Sequence, residues 1–183
     1  MDRSSLVRRP FPYSNRNLCL YLIGANILVT AFGYLSPAVP YLLAMNPMSV
    51  LSGRIWQPFT YMFVHADLSH LLVNMLGLLF FGTQVERELG SSEFLLYYLL
   101  TGFLAGLFSL AAYLLAGAYS VFLLGASGAV FAVLLAYAAL FPNSDIYVWG
   151  ILPVRAPVLV VGDTLIEVVS QLFSFRSSVA HLT

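Results

Sequence analysis

The sequence predicts an all-α fold, a polytopic membrane helix bundle with five spans and the start of a sixth. Of the 183 residues, 60% are hydrophobic and 9% are charged, whereas soluble domains carry roughly 25% charged residues. No Asp, Glu, Lys or Arg occurs between residues 94 and 144. Because backbone groups in lipid must bond within the segment, apolar stretches of this length are expected to be helices.

The apolar stretches give the spans in order. A helix needs about 20 apolar residues to cross the hydrocarbon layer, and four stretches approach this length. A fifth stretch is weaker because Arg155, Asp163 and Glu167 interrupt it. The predicted spans cover residues 18–35, 68–85, 94–116, 127–141 and 146–173.

The arginines predict how the chain is oriented in the membrane. Residues 1–16 hold four of them, whereas the loop between the first two spans holds one, Arg54. Positively charged residues favour the cytoplasmic side, so residues 1–16 are expected to be a cytoplasmic tail and residues 17–183 a membrane domain. The cell membrane is the expected location. The first apolar stretch has the length of a span and lacks a small-residue cleavage site, so no signal peptide is expected.

Composition also disfavours several functions. Cys19 is the one cysteine, so it predicts packing within the first span and no internal disulfide. His65 and His70 stand five apart and no thiolate ligands accompany them, so no metal site is expected. No cofactor is expected either. The basic residues are few and scattered, which disfavours nucleic acid as a partner.

The long loop between the first two spans is too apolar to be a free linker. Loops of about thirty residues are uncommon unless they are functional. We expect short amphipathic pieces lying in the membrane interface, with Trp56 and Tyr61 at the level of the lipid headgroups.

Small residues mark the borders and the packing of the third span. Gly90 is predicted to end the preceding helix, and Ser91 or Ser92 to cap the next one. Gly102 and Gly106 stand four apart, a spacing that lets membrane helices approach each other closely.

A serine between small residues is the first candidate for chemistry. The run Gly125-Ala126-Ser127-Gly128 allows a tight turn that leaves the Ser127 hydroxyl uncovered. Ser127 would begin the fourth helix, and the free N–H groups of a helix N-terminus can stabilise an oxyanion. The same run is also compatible with a serine cap between packing glycines. Phe131 lies one turn further along the same face.

The second span carries the polar residues that favour the catalytic interpretation. His70 and Asn74 are four apart and share one helix face. Histidine in a membrane span is costly and indicates a functional site. Both side chains can donate hydrogen bonds to a developing negative charge. His65 lies near the start of this helix and is expected to be structural, bonding loop carbonyls.

A serine nucleophile needs a base, and the remaining histidine is His181. No acidic residue is placed to orient it, so a Ser-His dyad is expected. An aspartyl mechanism is disfavoured because Asp163 has no partner aspartate in another span. Asp163 and Glu167 are better explained by a helix contact.

Taken together in this order and spacing, these residues resemble the rhomboid family of intramembrane serine proteases. The resemblance extends from Trp56 to the end of the chain. It rests on these runs: Trp56-Gln57-Pro58-Phe59-Thr60, His65, His70-Leu71-Leu72-Val73-Asn74, Glu86-Arg87-Glu88-Leu89-Gly90-Ser91, Gly125-Ala126-Ser127-Gly128 and Ala180-His181.

The resemblance implies a six-helix bundle with Ser127 as nucleophile, recessed from the exterior face. His70, Asn74 and the Ser127 amide would form the oxyanion hole, with Gly125, Gly128 and Phe131 structural near the site. Glu86 would brace the loop after the second helix. The implied substrates are membrane proteins, cut at transmembrane segments with helix-destabilising residues.

Two departures from the family pattern leave alternatives open. Gln57 stands where an arginine commonly follows the loop tryptophan. The chain stops at Thr183, so the sixth helix is expected to be incomplete, and the base is either His181 or a histidine just beyond. A non-catalytic rhomboid-like protein that binds transmembrane segments, or an inactive truncated fragment, is the alternative. A small transporter or channel subunit is disfavoured, because the polar residues cluster instead of following a path through several spans.

Overall fold

Helix α1 of the computed structural model spans Leu18–Leu35, the range that the sequence predicts. The structure describes residues 12–148, 152–155 and 158, and the chain divides after Val133 into two compact units. His181 and most of the predicted fifth span lie outside the described residues. The further elements are α2 Ala38–Leu43, α3 Pro47–Leu51, α4 Gln57–Thr60, α5 Leu68–Gly77, α6 Thr83–Leu89, α7 Ser91–Leu115, α8 Ser127–Leu140, β1 Asp145–Val148 and β2 Leu152–Arg155.

Three helices of the described residues are long and apolar enough to cross a membrane. They are α1, the continuous helix Leu68–Leu89 and α7, while α8 is apolar but shorter. Helix α5 passes into α6 through a π-helical turn at Leu78–Gly82, where the Cys19 thiol donates to the Leu78 carbonyl at 3.1 Å. The helical prediction for the first four spans is therefore confirmed, with the second extending to Leu89.

The loop between α1 and α5 consists of short helices, as its composition predicts. A 3-10 turn at Tyr61–Phe63 follows α4. Trp56 is 45% exposed, but Tyr61 is 3% exposed. The expectation that Tyr61 lies at the headgroup level is wrong, because its ring packs inside the protein and its hydroxyl donates to the Gly102 carbonyl at 2.8 Å.

This loop packs against the two glycines of α7. A Cβ atom on Gly106 would lie 2.4 Å from the Pro58 carbonyl oxygen, and one on Gly102 would lie 2.8 Å from the Met62 methyl carbon. Gly102 also faces Ala129 of α8, at 3.2 Å from its Cβ. The close approach that the spacing predicts is present, but its main partner is the loop.

Two side chains from the second half of the loop hold the C-terminus of α2. Gln57 is fully buried, and its amide nitrogen donates to the Leu42 carbonyl at 3.3 Å while its amide oxygen accepts from the Asn46 N–H at 3.1 Å. Arg54 donates to the Tyr41 carbonyl at 3.0 Å, and its guanidinium lies 4.3 Å from the centre of the Tyr41 ring. Gln57 therefore anchors the loop where the family pattern has an arginine.

The start of α1 is tied to the turn between α6 and α7. Glu86 is 1% exposed and accepts from the backbone N–H of Leu18 at 2.7 Å and of Cys19 at 2.9 Å. The Ser91 hydroxyl donates to Glu86 and accepts from the Arg16 N–H. Ser91 is thus the first residue of α7 and not its cap, because its hydroxyl is used by this network and Gly90 holds the cap position.

The described start of the predicted fifth span forms two β-strands. Strands β1 and β2 pair antiparallel, with Asp145 opposite Arg155 and Val148 opposite Leu152. The prediction of a helix from residue 146 is wrong here because the apolar residues of β1 are β-branched or aromatic, and such residues favour strands.

Candidate active site

The serine turn is formed by Gly125 and Ala126, directly before α8. Gly125 adopts a φ of 113°, a conformation that residues with a side chain rarely adopt. Its N–H donates to the Tyr61 carbonyl at 3.1 Å. Ser127 is the first residue of α8 and is half-buried, so its amide belongs to the helix start, where N–H groups have no partner within the helix.

His70 lies against this turn. A Cβ atom on Gly125 would stand 2.5 Å from His70 Cε1 and 2.7 Å from Nε2. The imidazole edge is therefore in contact with the backbone two residues before Ser127. Only a residue without a side chain fits there.

Asp67 fixes where His70 stands on its helix. As the N-cap of α5, its carboxylate accepts from the His70 backbone N–H at 2.8 Å and from the Ser69 hydroxyl at 2.5 Å. These hydrogen bonds lower the pKa of Asp67 below its ordinary value, and the bond from Ser69 has the larger effect. The cap therefore carries its charge at neutral pH.

Asn74 lies one turn below His70 and is 5% exposed. Its amide nitrogen donates to the His70 carbonyl at 2.9 Å. This bond orients the side chain and uses one of its two amide hydrogens. Within the part of the chain that the structure describes, the second hydrogen has no acceptor and can serve another group.

His65 joins the turn to α1. Its Nε2 accepts from the Ala126 N–H at 3.4 Å, and its Nδ1 lies 3.2 Å from the Thr30 hydroxyl. The expectation that His65 bonds loop carbonyls is wrong, because the ring meets a backbone amide and a hydroxyl instead. Its ring meets that of His70 edge-on, with ring centres 5.1 Å apart.

The environment of His65 keeps its ring neutral. Its pKa is lowered to about 4, chiefly by burial and secondly by the neighbouring His70. Asp67 raises the pKa by a smaller amount. A neutral imidazole has one donor and one acceptor nitrogen, which suits two different partners.

The remaining residues near the site have different surroundings. A Cβ atom on Gly128 would lie 2.8 Å from the Ala105 Cβ, so Gly128 lets α8 approach α7. Phe131 is half-buried on the next turn of α8, and the histidine expected beside it, His181, lies outside the described residues. Within the part of the chain that the structure describes, no three His, Cys, Asp or Glu side chains group as metal ligands.

Two residues of this site, Asp67 and Thr30, were not singled out from the sequence, and Tyr61 was named only for the membrane interface. Asp67 could have been found by its position, since an acidic residue three before His70 is typical of a helix N-cap. Thr30 gave no local signal, and nothing local indicated that Tyr61 contacts the serine turn. Their importance comes from contacts with residues that are distant in sequence.

Spanning apolar helices around a histidine-flanked serine turn define a polytopic membrane protein. Residues 52–183 match the rhomboid domain, and the chain belongs to the rhomboid family, a family of intramembrane proteases. It is therefore an integral membrane protein.

Individual relatives agree with this assignment. The chain is 37% identical to RHOMBOID-like protein 12, mitochondrial, of Arabidopsis thaliana over 151 residues, which cover 72% of this chain and 44% of the relative. It is 38% identical to RHOMBOID-like protein 1 of the same plant over 91 residues, 48% of this chain and 21% of the relative. It is 35% identical to the rhomboid protease GlpG of Salmonella newport over 57 residues, 31% of this chain and 21% of that protein. The chain thus spans less than half the length of these relatives.

Proposed function

We propose that this protein is an intramembrane serine endopeptidase with Ser127 as its nucleophile. The observation that carries the proposal is the contact of the His70 ring with Gly125, two residues before a serine that begins a helix. A packing serine would need neither the left-handed glycine nor a histidine in an apolar helix. The relative named a rhomboid protease supports the same chemistry.

In the proposed reaction, Ser127 Oγ attacks the carbonyl carbon of a peptide bond. The hydroxyl proton passes to a histidine base, and the base returns it to the leaving amine as the C–N bond breaks. Water then hydrolyses the acyl-serine and restores the hydroxyl. The base is His181 or a histidine following Thr183.

The oxyanion would be stabilised by His70, Asn74 and the Ser127 amide. The second hydrogen of the Asn74 amide and a ring nitrogen of His70 can supply side-chain donors, and the start of α8 supplies the backbone donor. Preorganised donors of this kind contribute roughly 3–4 kcal/mol each to the transition state. His65, Gly125, Gly128 and Phe131 would shape the site without taking part in the reaction.

The proposed substrates are membrane proteins whose transmembrane segments contain helix-destabilising residues. A serine at membrane depth can be reached only by a segment that unwinds enough to expose its peptide bond. We further propose that the N-terminal tail is cytoplasmic and that the protein acts in the cell membrane. The name of one relative places that relative in mitochondria, so localisation of a tagged full chain is the direct measurement.

Labelling with a fluorophosphonate probe tests the function. The full chain is reconstituted in proteoliposomes, with Ser127→Ala as the variant and Ser52→Ala, at an exposed serine of the loop, as the matched control. We expect labelling and cleavage of a reporter transmembrane segment in the wild type and in Ser52→Ala, and neither in Ser127→Ala. Undiminished labelling of Ser127→Ala, or a wild type that binds the reporter without cleaving or labelling, would overturn the proposal in favour of a non-catalytic binding protein.

A further inference from the structure

Two successive amides of the serine turn are held by groups from elsewhere in the chain. The Gly125 N–H donates to the Tyr61 carbonyl at 3.1 Å, and the Ala126 N–H donates to His65 Nε2 at 3.4 Å. The next amide in the chain is that of Ser127. The two bonds therefore fix the two peptide planes that come before the Ser127 amide.

The bond from Ala126 determines the tautomer of His65. A backbone N–H can only donate, so Nε2 must be the acceptor and the neutral ring must carry its hydrogen on Nδ1. That hydrogen points to the Thr30 hydroxyl oxygen, 3.2 Å away. The Thr30 hydroxyl in turn has the Phe63 carbonyl within 3.5 Å as its acceptor.

The chain of bonds is enclosed by the protein. Thr30 is 2% exposed, His65 is 5% exposed and Ala126 is fully buried. Water therefore does not readily replace any of these partners, and an unmade bond leaves a buried polar group. In the other tautomer, the Nε2–H group would face the Ala126 N–H, and neither donor would have an acceptor there.

We propose that Thr30, on the first span, is a positioning residue for Ser127. Its hydroxyl accepts the Nδ1 hydrogen of His65 and so holds the ring in the orientation in which Nε2 accepts from the Ala126 N–H. His65 in turn holds the turn that presents the serine. This inference rests on the proposed function for its effect on reactivity, but the tautomer of His65 is independent of any activity.

Ring nitrogen chemical shifts of ¹⁵N-histidine-labelled full chain in detergent micelles report the tautomer directly. We expect His65 to show a protonated Nδ1 in the wild type and in Thr30→Ser, which keeps the hydroxyl. In Thr30→Val, which keeps the shape and removes the hydroxyl, the ring should lose its fixed orientation and its bond to Ala126, so that the proton exchanges between Nδ1 and Nε2. A His65→Gln variant assigns the signals.

Reactivity should follow the tautomer. The rate of fluorophosphonate labelling should fall roughly tenfold in Thr30→Val, as expected when one neutral hydrogen bond is lost, with KM for a reporter substrate unchanged. Thr30→Ser should stay within about threefold of the wild type, as should Thr101→Val, in which the lost hydroxyl bonds the carbonyl of Tyr97 on its own helix. His65→Gln, whose amide oxygen reaches the position of Nε2, should label faster than His65→Asn.

A protonated Nε2 on His65 of the wild type would overturn the inference even if Ser127 is labelled normally. Equal spectra and equal labelling rates in Thr30→Val and Thr30→Ser would do the same. If Ser127 of the wild type is not labelled although the Nδ1–H tautomer is observed, the proposed function fails, and with it the positioning role, while the bonding of His65 stands. Thermal unfolding of each variant separates a loss of fold from a loss of position.

Discussion

The carboxylate of Glu86 caps the helix that begins at Leu18, accepting its backbone N–H at 2.7 Å. A helix N-terminus leaves its first amides without partners inside the helix. Here those amides donate to a buried carboxylate from a distant part of the chain. The anion also lies at the positive end of the helix dipole. The first and second spans are thereby joined at one end.

Replacing Glu86 with alanine should lower the free energy of unfolding by about 3 kcal/mol, since it leaves buried donors without a charged acceptor. Glu86→Gln should cost less because one acceptor oxygen remains. The control is Glu88→Gln, at an exposed carboxylate on the same helix. Thermal unfolding in detergent micelles measures the difference, and equal midpoints for Glu86→Ala and Glu88→Gln would contradict the capping role.

Gly125→Ala should reduce the labelling rate of Ser127 by about 100-fold, because a displacement near 1 Å at a reacting group has this effect. The new methyl group would meet His70 at 2.5 Å. Gly53→Ala is the matched control, since Gly53 has a similar φ of 105° and no atom within 4 Å of the added carbon. A labelling rate that falls equally in both variants would attribute the effect to backbone strain alone.

Gly106→Ala should destabilise the protein by about 1–3 kcal/mol, the usual cost of overpacking. Its Cβ would stand 2.4 Å from the Pro58 carbonyl oxygen, whereas one on Gly24 has nothing within 4 Å. Gly24→Ala should therefore be neutral, or stabilising by up to about 1 kcal/mol. Urea or thermal unfolding of the two variants compares a glycine that receives the loop with one that does not.

Stability should fall as the pH decreases from about 6.5 to about 4. The unfolded chain protonates His65 near its ordinary pKa of about 6.5, but the folded protein holds the pKa at about 4. Between these values the unfolded state binds more protons, so acid favours it. The titratable groups that act on His65 are His70 and Asp67. The measurement is the unfolding midpoint against pH for the wild type and His65→Gln, and a curve of equal slope in both would contradict this assignment.

The sequence predicts the helices of the first unit well because their limits are set locally. Asn17 and Ser36 border the apolar run of α1, and Asp67 caps α5. The pair of strands that begins at residue 145 was not predicted, since apolar content alone does not distinguish a strand from a helix.

The candidate site was predictable in its residue types but not in its contacts. Ser127, His70 and Asn74 stand out because polar side chains are rare in apolar helices. The partners of His65, Thr30 and Ala126, lie 35 and 61 residues away from it. No local pattern specifies such pairs, so spacing along the chain could not identify the partners of His65.

The π-helical turn at Leu78–Gly82 stands between the part of the helix that carries His70 and Asn74 and the part that carries Glu86. A π turn contains one residue more than an α turn, and each residue rotates a helix by about 100°. The turn therefore sets the angle between two faces of one helix, so that one face meets the serine turn while the other reaches the start of α1. Deletion of one residue in this stretch would leave an apolar helix of spanning length. Only one of its two faces could then meet its partner, either the serine turn or the start of α1.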